Sequence, residues 1–297
     1  MKKLICLTMI FVFTLAGTGA ALAGTEGYSG KSLEKNIAII ELIASGDGYL
    51  VDGGVPFEFE TSPENDGSGE INPEWASGGS NHTHQYLTAT ALQILRNDKG
   101  DKTADLLAKY ATTLLSNSDW PDTNENDFSL YLGHFYDPRT GKTILGFSSP
   151  TALSRFVTHA ANAKKYYAKN KTAAMQELGR ALHYLADINV PHHAALLTAL
   201  NSNHTSYENF ADTYRLDYKA DSSTLYSVTT IDAKKNLAGY CKEIIDLSAY
   251  HALGYVGPAT SGDYIVMGTA AKATMEYSQE IMAAFLYNFL RSVGAVR

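Results

Sequence analysis

From residue 87 onward, the apolar residues of the chain recur at steps of three and four. This spacing puts them on one face of an α-helix, so each run predicts an amphipathic helix packed on a shared core. No run of alternating apolar and polar residues predicts a central sheet. The pattern therefore predicts an all-α fold, a single compact multi-helix domain. The clearest runs are Leu87/Ala91/Ile94, Leu106/Tyr110/Leu114, Met175/Leu178/Leu182/Leu185, Leu237/Cys241/Ile244/Leu247 and Ile281/Phe285/Phe289.

The first 23 residues have the pattern of a secretory signal peptide. Lys2 and Lys3 precede an uncharged apolar stretch over residues 4–17, and Ala21-Leu22-Ala23 forms a small-residue cleavage pattern. The apolar stretch is shorter than the roughly 20 residues that a membrane-spanning helix needs. We therefore expect export to the periplasm or the extracellular medium, with no transmembrane segment once the signal is removed.

An acidic leader follows over residues 24–74. It holds 11 Asp and Glu against 2 Lys, whereas residues 75–297 hold 20 acidic and 20 basic side chains and all nine histidines. The leader contains an apolar run over residues 37–43, and a glycine-broken segment over residues 48–60 is compatible with a hairpin. A Pro-, Gly- and Ser-rich stretch over residues 61–79 marks a boundary. We predict a signal peptide (1–23), an acidic propeptide or linker (24–74) and a histidine-bearing domain (75–297).

Cysteine usage excludes one source of stability. Cys6 lies in the signal peptide, which leaves Cys241 as the single cysteine of the exported protein and no intramolecular disulfide. Stability must then come from packing or from bound metal, which can supply folding free energy.

The densest set of metal-competent side chains lies between residues 181 and 210. The first two and the last two members of this set are each four residues apart, so each pair lies on one face of a helix. Pro191 ends the first helix and lets the chain turn back, which brings the middle histidine close. Nitrogen and carboxylate donors in such a pattern are typical zinc ligands. The set is His183, Asp187, His193, His204 and Glu208.

Three other histidines are weaker candidates. His192 competes with its neighbour His193 for a single position. His159 and His251 have no acidic residue at ligand spacing, so we expect them to be ordinary core or surface histidines.

The segment HYLADINVPHHA, followed by a histidine four residues before a glutamate, resembles the bacterial zinc-dependent phospholipase C enzymes, including the catalytic domain of the alpha-toxins. The resemblance runs by motif from residue 75 to about residue 210, and more loosely to the C-terminus. It implies an all-helical domain with a zinc cluster in a cleft. Its upstream motifs are Trp75, Thr83-His84 opening a helix that ends at Asn97-Asp98, Pro121-Asp122, and His134-Phe135-Tyr136-Asp137-Pro138.

This resemblance also implies three zinc ions with specific ligands. One would take Asp122, His134, His183 and Asp187; a second His193, His204 and Glu208; a third His84, Asp187 as a bridge, and the amino nitrogen and carbonyl oxygen of Trp75. Asp122 is expected to be both a ligand and the general base. Only a free terminus offers an amine ligand, so the chain must be cut between Glu74 and Trp75. The leader is then the propeptide of a zymogen, and it would cap the metal site until cleavage.

The activity implied is hydrolysis of the glycerol-side phosphodiester bond of phospholipids, which yields diacylglycerol and a phosphorylated head group. The substrate would lie at a membrane or micelle surface, and the enzyme would be a monomer. Two alternatives stay open: a zinc-dependent single-strand nuclease or nucleotidase of similar fold, and a non-catalytic lipid- or metal-binding protein. The short gap between His193 and His204 and the final Glu208 favour the lipase. The neutral body also lacks the basic excess typical of nucleic-acid binding, so no nucleic-acid partner is expected.

Head-group recognition is where the chain departs from the choline-preferring members of the family. Those members carry a glutamate and two aromatic residues around the choline, at positions that here are Gly78, Thr123 and Tyr131. Only Tyr131 keeps the family's residue type. We therefore predict weak discrimination among choline, ethanolamine and glycerol head groups, with Tyr131 as the remaining substrate contact.

Overall fold

The computed structural model describes residues 30–51, 55–58, 77–78 and 81–297, and in this part of the chain the protein is mostly helical. The predicted signal peptide, Trp75 and the cleavage position after Glu74 lie outside the described residues. The helices are α1 Gly30–Ser45, α2 Thr83–Lys99, α3 Asp101–Ala108, α4 Ala111–Asn124, α5 Ala152–Tyr167, α6 Lys171–Asp187, α7 Pro191–Ala194, α8 His204–Thr213, α9 Leu237–Leu253, α10 Val256–Ala259 and α11 Tyr264–Ser292.

Extended structure in the described residues is limited to two antiparallel strand pairs and an isolated antiparallel bridge between Asp137 and Lys142. Strands β1 (Gly48–Val51) and β2 (Val55–Glu58) form the hairpin that the leader sequence allowed. Strands β3 (Ser77–Gly78) and β4 (Asn81–His82) pair directly before α2. The prediction of a helical body without a central sheet is confirmed.

One of the five predicted helical runs is wrong. Leu106, Tyr110 and Leu114 do not share a helix, because α3 ends at Ala108 and α4 begins at Ala111, with Tyr110 between them in a non-helical conformation. The other four runs lie within α2, α6, α9 and α11. The apolar period continues across the break since both short helices pack on the same core.

Side-chain caps fix where two of the long helices start. The amide oxygen of Asn170 accepts a hydrogen bond from the Ala173 N–H at 3.0 Å at the start of α6. The carboxylate of Asp263 accepts one from the Ile265 N–H at 2.8 Å at the start of α11. These contacts satisfy backbone donors that the first helical turn leaves without an intrahelical acceptor.

Helix α6 lies at the centre of the body, where it packs against both α4 and α5. Gly179 makes the contact with α4 possible, because a Cβ atom there would collide with the carbonyl oxygen of Leu114. The close approach brings the C-terminal parts of α4 and α6 side by side. The buried ring of Phe156 of α5 packs against that of Phe285 of α11, with ring centroids 4.9 Å apart.

The described part of the leader shares the core of the body. Ile39, Ile40 and Ile43 of α1 are buried in the same hydrophobic cluster as the body helices, and Leu50 of β1 joins them. Helix α1 packs against α2, α3 and α4. The predicted boundary between propeptide and catalytic domain stays a prediction.

Two further observations bear on the sequence-based expectations. Cys241 is buried and free, as the cysteine count indicated. Among the described helices, not one combines the length and the apolar character needed to cross a membrane.

Candidate metal centre

Helix α6 supplies the central pair of the site. His183 and Asp187 are both fully buried, and the Nε2 atom of His183 lies 3.1 Å from an Asp187 carboxylate oxygen. The Nδ1 atom of His183 donates a hydrogen bond to the Ser118 carbonyl oxygen at 2.7 Å. This bond keeps a proton on Nδ1 and directs Nε2 at the carboxylate.

Helix α4 and the short 3₁₀ turn Leu132–His134 bring two more donors to this pair. The Nδ1 atom of His134 lies 2.9 Å from Asp187 Oδ2 and 3.6 Å from Asp122 Oδ1. Asp122 Oδ1 is in turn 3.1 Å from His183 Nε2. Donor atoms of Asp122, His134 and His183 all lie within 4.8 Å of one another.

His84, the second residue of α2, completes the group on its other side. Its Nε2 atom is 3.4 Å from Asp187 Oδ1, and its ring lies 4.0 Å from the ring of His183. Asp187 therefore faces His84 with one carboxylate oxygen and His134 and His183 with the other. We call His84, Asp122, His134, His183 and Asp187 the first cluster.

A second cluster, His193, His204 and Glu208, comes from α7 and α8. Pro191 is the first residue of α7 and begins a new turn directly after α6, as the sequence predicted. The Nε2 atoms of His193 and His204 are 3.0 Å apart, and Glu208 Oε1 lies 3.3 and 2.9 Å from them, respectively. All three side chains are buried.

The segment after His134 joins the two clusters. The Tyr136 N–H donates to the His193 carbonyl oxygen at 3.3 Å, and the Phe135 ring lies 4.6 Å from the ring of His193. The residue that follows a first-cluster histidine thus packs directly on a second-cluster histidine. The two clusters are neighbouring parts of one centre.

Electrostatics differ between the clusters. Burial disfavours the charged form of Asp187, but His183 and His134 outweigh burial and hold the Asp187 pKa well below its usual range. Burial likewise opposes a charge on His183, but Asp187 and Asp122 outweigh it and raise the His183 pKa well above 6.5. Burial lowers the pKa of His84 to about 4.

In the second cluster, burial decides the outcome. It raises the pKa of Glu208 to about 8 and lowers the pKa of His204 to about 4. Burial also lowers the pKa of His193. Without a cation, these shifts all favour the neutral form of the three side chains.

The donors in both clusters fit zinc. Zinc takes histidine nitrogen and carboxylate oxygen at about 2.0–2.2 Å, which puts neighbouring tetrahedral donors about 3.3 Å apart. The close donor pairs here are 2.9 to 3.4 Å apart. Two imidazole nitrogens directed at one another beside a carboxylate, as in the second cluster, are stabilised when a cation lies between them.

The comparison with family models decides the family of this chain. A model described as zinc dependent phospholipase C matches residues 83–255, more than half of the sequence. The chain belongs to the zinc-dependent phospholipase C family. This result confirms the resemblance indicated by the sequence motifs.

Known members of the phospholipase C family match most of the same region. Phospholipase C from Clostridium perfringens is 29% identical over 235 residues, covering 71% of this chain and 59% of that relative. Phospholipase C from Bacillus cereus is 31% identical over 179 residues, covering 55% of this chain and 62% of that relative. The chain thus spans about three fifths of the length of these relatives.

Solved structures agree with the fold. The alpha toxin from Clostridium absonum superimposes with a TM-score of 0.64 at 25% sequence identity, covering 72% of this chain and 65% of that chain. A Clostridium perfringens alpha-toxin from an avian strain gives the same TM-score. The helical body is therefore alpha-toxin-like.

Tyr131, the predicted head-group contact, lies at the edge of the first cluster. Its ring is 5.6 Å from the ring of His134 in an edge-on arrangement. Its backbone is left-handed, with φ 52°, and it directly precedes the turn that carries His134. Thr123 is exposed near the end of α4, one residue after Asp122.

The three weaker histidines lie outside both clusters. His192 Nε2 donates a hydrogen bond to Asn203 Oδ1 at 3.0 Å, and its ring stacks on the ring of His204 with centroids 5.1 Å apart. His251 stacks on Tyr277 with ring centroids 3.9 Å apart. The position of His251 agrees with the expected packing role, and His193 rather than His192 belongs to the second cluster.

His159 has partners that its sequence neighbourhood did not reveal. Its Nδ1 atom lies 2.9 Å from Glu177 and its Nε2 atom 3.1 Å from Glu125. Glu125 also accepts a hydrogen bond from the Tyr184 hydroxyl at 2.6 Å, and the Tyr184 ring lies 5.2 Å from His134. This buried network contacts the first cluster through the Tyr184 ring. Its members are too far apart in sequence to be predicted from local residue spacing.

A neighbouring ion pair holds the loop before His134. Arg155 contacts Asp127 at 2.7 Å, and the same Asp127 carboxylate accepts a hydrogen bond from the Gly133 N–H at 2.7 Å. Gly133 directly precedes His134, so the pair fixes the backbone of the turn that presents this histidine.

Proposed function

We propose that the chain is an exported, zinc-dependent phospholipase C that hydrolyses the glycerol-side phosphodiester bond of phospholipids to diacylglycerol and a phosphorylated head group. The proposal is supported mainly by the two adjoining clusters of buried histidines and carboxylates, in which Asp187 contacts three histidines. The family of the chain supports it as well. The relatives from Clostridium perfringens and Bacillus cereus are both phospholipase C.

The proposed centre holds three zinc ions. Asp187 would serve two of them, since its two carboxylate oxygens face different histidines. The third ion also needs the amino nitrogen and carbonyl oxygen of Trp75, outside the described residues, after cleavage following Glu74. The proposed sets are Asp122, His134, His183 and Asp187; His193, His204 and Glu208; and His84, Asp187 and Trp75.

Zinc in such a centre lowers the pKa of bound water and neutralises charge on phosphoryl oxygens. Asp122 is the residue we propose as both ligand and general base. Its side chain is 11% exposed, whereas that of Asp187 is fully buried. Both Asp122 carboxylate oxygens are buried against first-cluster histidines, 3.1 Å from His183 Nε2 and 3.9 Å from His84 Nε2. This position suits a metal ligand, and the general-base role is proposed from the family resemblance.

Exposed apolar side chains beside the centre favour a lipid substrate. Phe128 is 97% exposed on the loop before His134, and Leu145 is 76% exposed on a second loop. The Thr143 hydroxyl donates to the Leu132 carbonyl oxygen at 2.5 Å, which joins the two loops. Large exposed apolar residues grouped on neighbouring loops are typical of a membrane or protein contact surface.

The assay that tests this proposal compares substrates with and without chelator. The processed protein is incubated with phosphatidylcholine in mixed micelles and with single-stranded DNA. We expect chelator-sensitive release of diacylglycerol and phosphocholine, with no DNA cleavage. Cleavage of DNA alone would favour the nuclease alternative, and turnover of neither substrate by a zinc-loaded protein would favour the non-catalytic one.

Head-group preference is tested on matched phospholipids. With Tyr131 as the remaining aromatic contact, we expect kcat/KM for choline, ethanolamine and glycerol head groups to agree within about tenfold, because one exposed cation–π contact contributes about 0.5–1 kcal/mol. A preference for phosphatidylcholine of about a hundredfold or more would show that other residues rebuild the choline pocket.

A further inference from the structure

Helix α1 of the leader packs on the body through one apolar side. Ile39, Ile40, Ile43 and Ala44 are at most 5% exposed, all on the side that meets α2, α3 and α4. The opposite side of α1 carries the exposed residues Glu34, Lys35, Ala38, Glu41 and Ser45. An apolar stripe with a polar reverse face is the pattern of a helix that needs a partner surface.

Directed hydrogen bonds accompany this apolar contact. The buried side-chain amide of Gln85 pairs with both backbone groups of Leu50, accepting from its N–H at 2.8 Å and donating to its carbonyl oxygen at 3.0 Å. The Asn36 amide donates to the Lys109 carbonyl oxygen at 2.8 Å. Because a buried polar group without a partner is costly, loss of the leader would leave Gln85 without these partners.

The docked segment also contacts the beginning of α2. The ring of Tyr49 stacks on the ring of His82 at 4.2 Å, and His82 contacts Asp119 at 2.6 Å. Gln85 donates to the same Asp119 carboxylate at 2.6 Å. The leader therefore holds the two residues on either side of the Thr83–His84 pair that opens the helix.

The docked segment, residues 30–51, lies outside the matched family region, which begins at residue 83, whereas the helices that it contacts lie within that region. We propose that residues 30–51 are a lasting structural partner of the body rather than a removable cap, and that they stay bound as a separate peptide after the chain is cut before Trp75. The binding site for this peptide is the groove formed by α2, α3 and α4. This inference does not depend on the substrate of the enzyme.

The test uses the full chain with a specific protease site placed between residues 61 and 74. After folding and complete cutting, the protein is passed through gel filtration in native buffer, and each peak is analysed by mass spectrometry. We expect the leader peptide and the body to co-elute in a 1:1 ratio and to separate only in denaturant. Separation in native buffer, with an unchanged melting temperature of the body, would overturn the proposal.

A matched pair of variants assigns the binding to the apolar face of α1. Ile43→Asp places a charge in the buried stripe and should speed dissociation of the cut leader at least about a hundredfold. Glu41→Gln, on the exposed face of the same helix, should leave the dissociation rate unchanged. Equal rates for the two variants would contradict the docking described here.

A milder variant covers the case in which Ile43→Asp does not fold. Asn36→Ala removes the hydrogen bond to Lys109 and should speed dissociation of the leader about five- to tenfold. Zinc content gives a second readout, since the leader contacts both neighbours of the segment that carries His84. Forced removal of the leader should release zinc faster from the body, and an identical zinc-release rate with and without the leader would count against this link.

Discussion

The two clusters of the metal centre are built in different ways. The first draws His84, Asp122, His134 and the α6 pair from four separate segments of the chain. The second takes His193, His204 and Glu208 from two short, neighbouring helices. The first cluster therefore depends on how α2, α4 and α6 pack, whereas the second depends mainly on the local turn after Pro191.

The clusters also place their protons differently when no cation is bound. In the first, the surrounding imidazoles hold the Asp187 pKa well below its usual range, and the carboxylates raise the His183 pKa. In the second, a single carboxyl group among neutral imidazoles is itself protonated, since burial raises the Glu208 pKa to about 8. The first cluster has two carboxylates, Asp122 and Asp187, whereas the second has only Glu208. Two carboxylates favour a positive charge on the histidine between them, whereas a single buried carboxyl group favours its own neutral form.

The largest expected effect comes from the shared carboxylate. Asp187→Asn should lower kcat/KM for phospholipid more than about 1,000-fold, because metal-assisted charge stabilisation contributes several kcal/mol and about 1.4 kcal/mol is tenfold. It should also remove two zinc ions per processed chain. Glu208→Gln should remove one zinc and leave those of the first cluster in place. Elemental analysis and steady-state assays measure both outcomes.

Asp246→Asn is the control for these variants. Asp246 is a partly exposed carboxylate that accepts a hydrogen bond from Tyr136 and pairs with Lys242. Its replacement should leave zinc content and activity unchanged. An Asp187→Asn protein that retains all its zinc would show that the bridging assignment is wrong.

The proton on Glu208 predicts a pH dependence for the second cluster. Zinc binds the ionised carboxylate, so zinc affinity should rise about tenfold per pH unit below the Glu208 pKa of about 8 and level off above it. His204, with a pKa of about 4, adds no further proton in this range. Zinc titration of Asp187→Asn, which keeps only this cluster, should show about a fiftyfold gain from pH 6 to pH 8, since the carboxyl group is then half ionised. A flat profile would contradict the assigned proton.

Gly179 offers a way to disturb the first cluster alone. Gly179→Ala should push α6 away from Leu114 of α4 and cost about 1–3 kcal/mol of stability, the usual range for overpacking a core. Since Asp122 lies on α4 and His183 on α6, zinc should be lost from the first cluster and retained by the second. Gly257→Ala, where a Cβ meets nothing within 4 Å, is the matched control and should leave both the melting temperature and the zinc content unchanged.

The smallest effect concerns the network behind the first cluster. Burial opposes a charge on His159, but Glu125 and Glu177 outweigh it and raise the His159 pKa. A raised folded-state pKa stabilises the protein below the unfolded value of about 6.5, and this stability is lost as pH rises through the folded value. The melting-temperature difference between wild type and His159→Gln should therefore be larger at pH 6 than at pH 9. The opposite trend would show that His159 is neutral in the folded protein.

Local spacing predicted the parts of the site that are close in sequence. His183 with Asp187 and His204 with Glu208 follow from an i,i+4 pattern on helices, and both pairs are found there. The approach of Asp122, His134 and His84 came from family resemblance, because no local period links α2, α4 and the turn at Leu132–His134. The structure brings these residues together through packing.

Other features could not be read from the sequence for physical reasons. The apolar period does not show the break at Tyr110, since residues on both sides face the same core. His159 on α5 meets Glu177 on α6 and Glu125 directly after α4, 18 and 34 residues away, so only the packing of separate helices reveals these contacts. The leader's acidic composition does not reveal the contacts of residues 30–51, which combine an apolar face on α2, α3 and α4 with hydrogen bonds to Gln85 and Lys109. The cap over metal stays a prediction.

The most direct test of the account is phospholipid hydrolysis measured as a function of zinc bound per chain. Processed protein is stripped with chelator at pH 8, zinc is returned in steps, and both bound zinc and diacylglycerol release are recorded at each step. We predict no hydrolysis in the stripped protein and full activity as bound zinc approaches three per chain. Full activity without zinc, or three bound zinc ions with no phosphodiester hydrolysis, would contradict the central claim that these clusters form the catalytic centre.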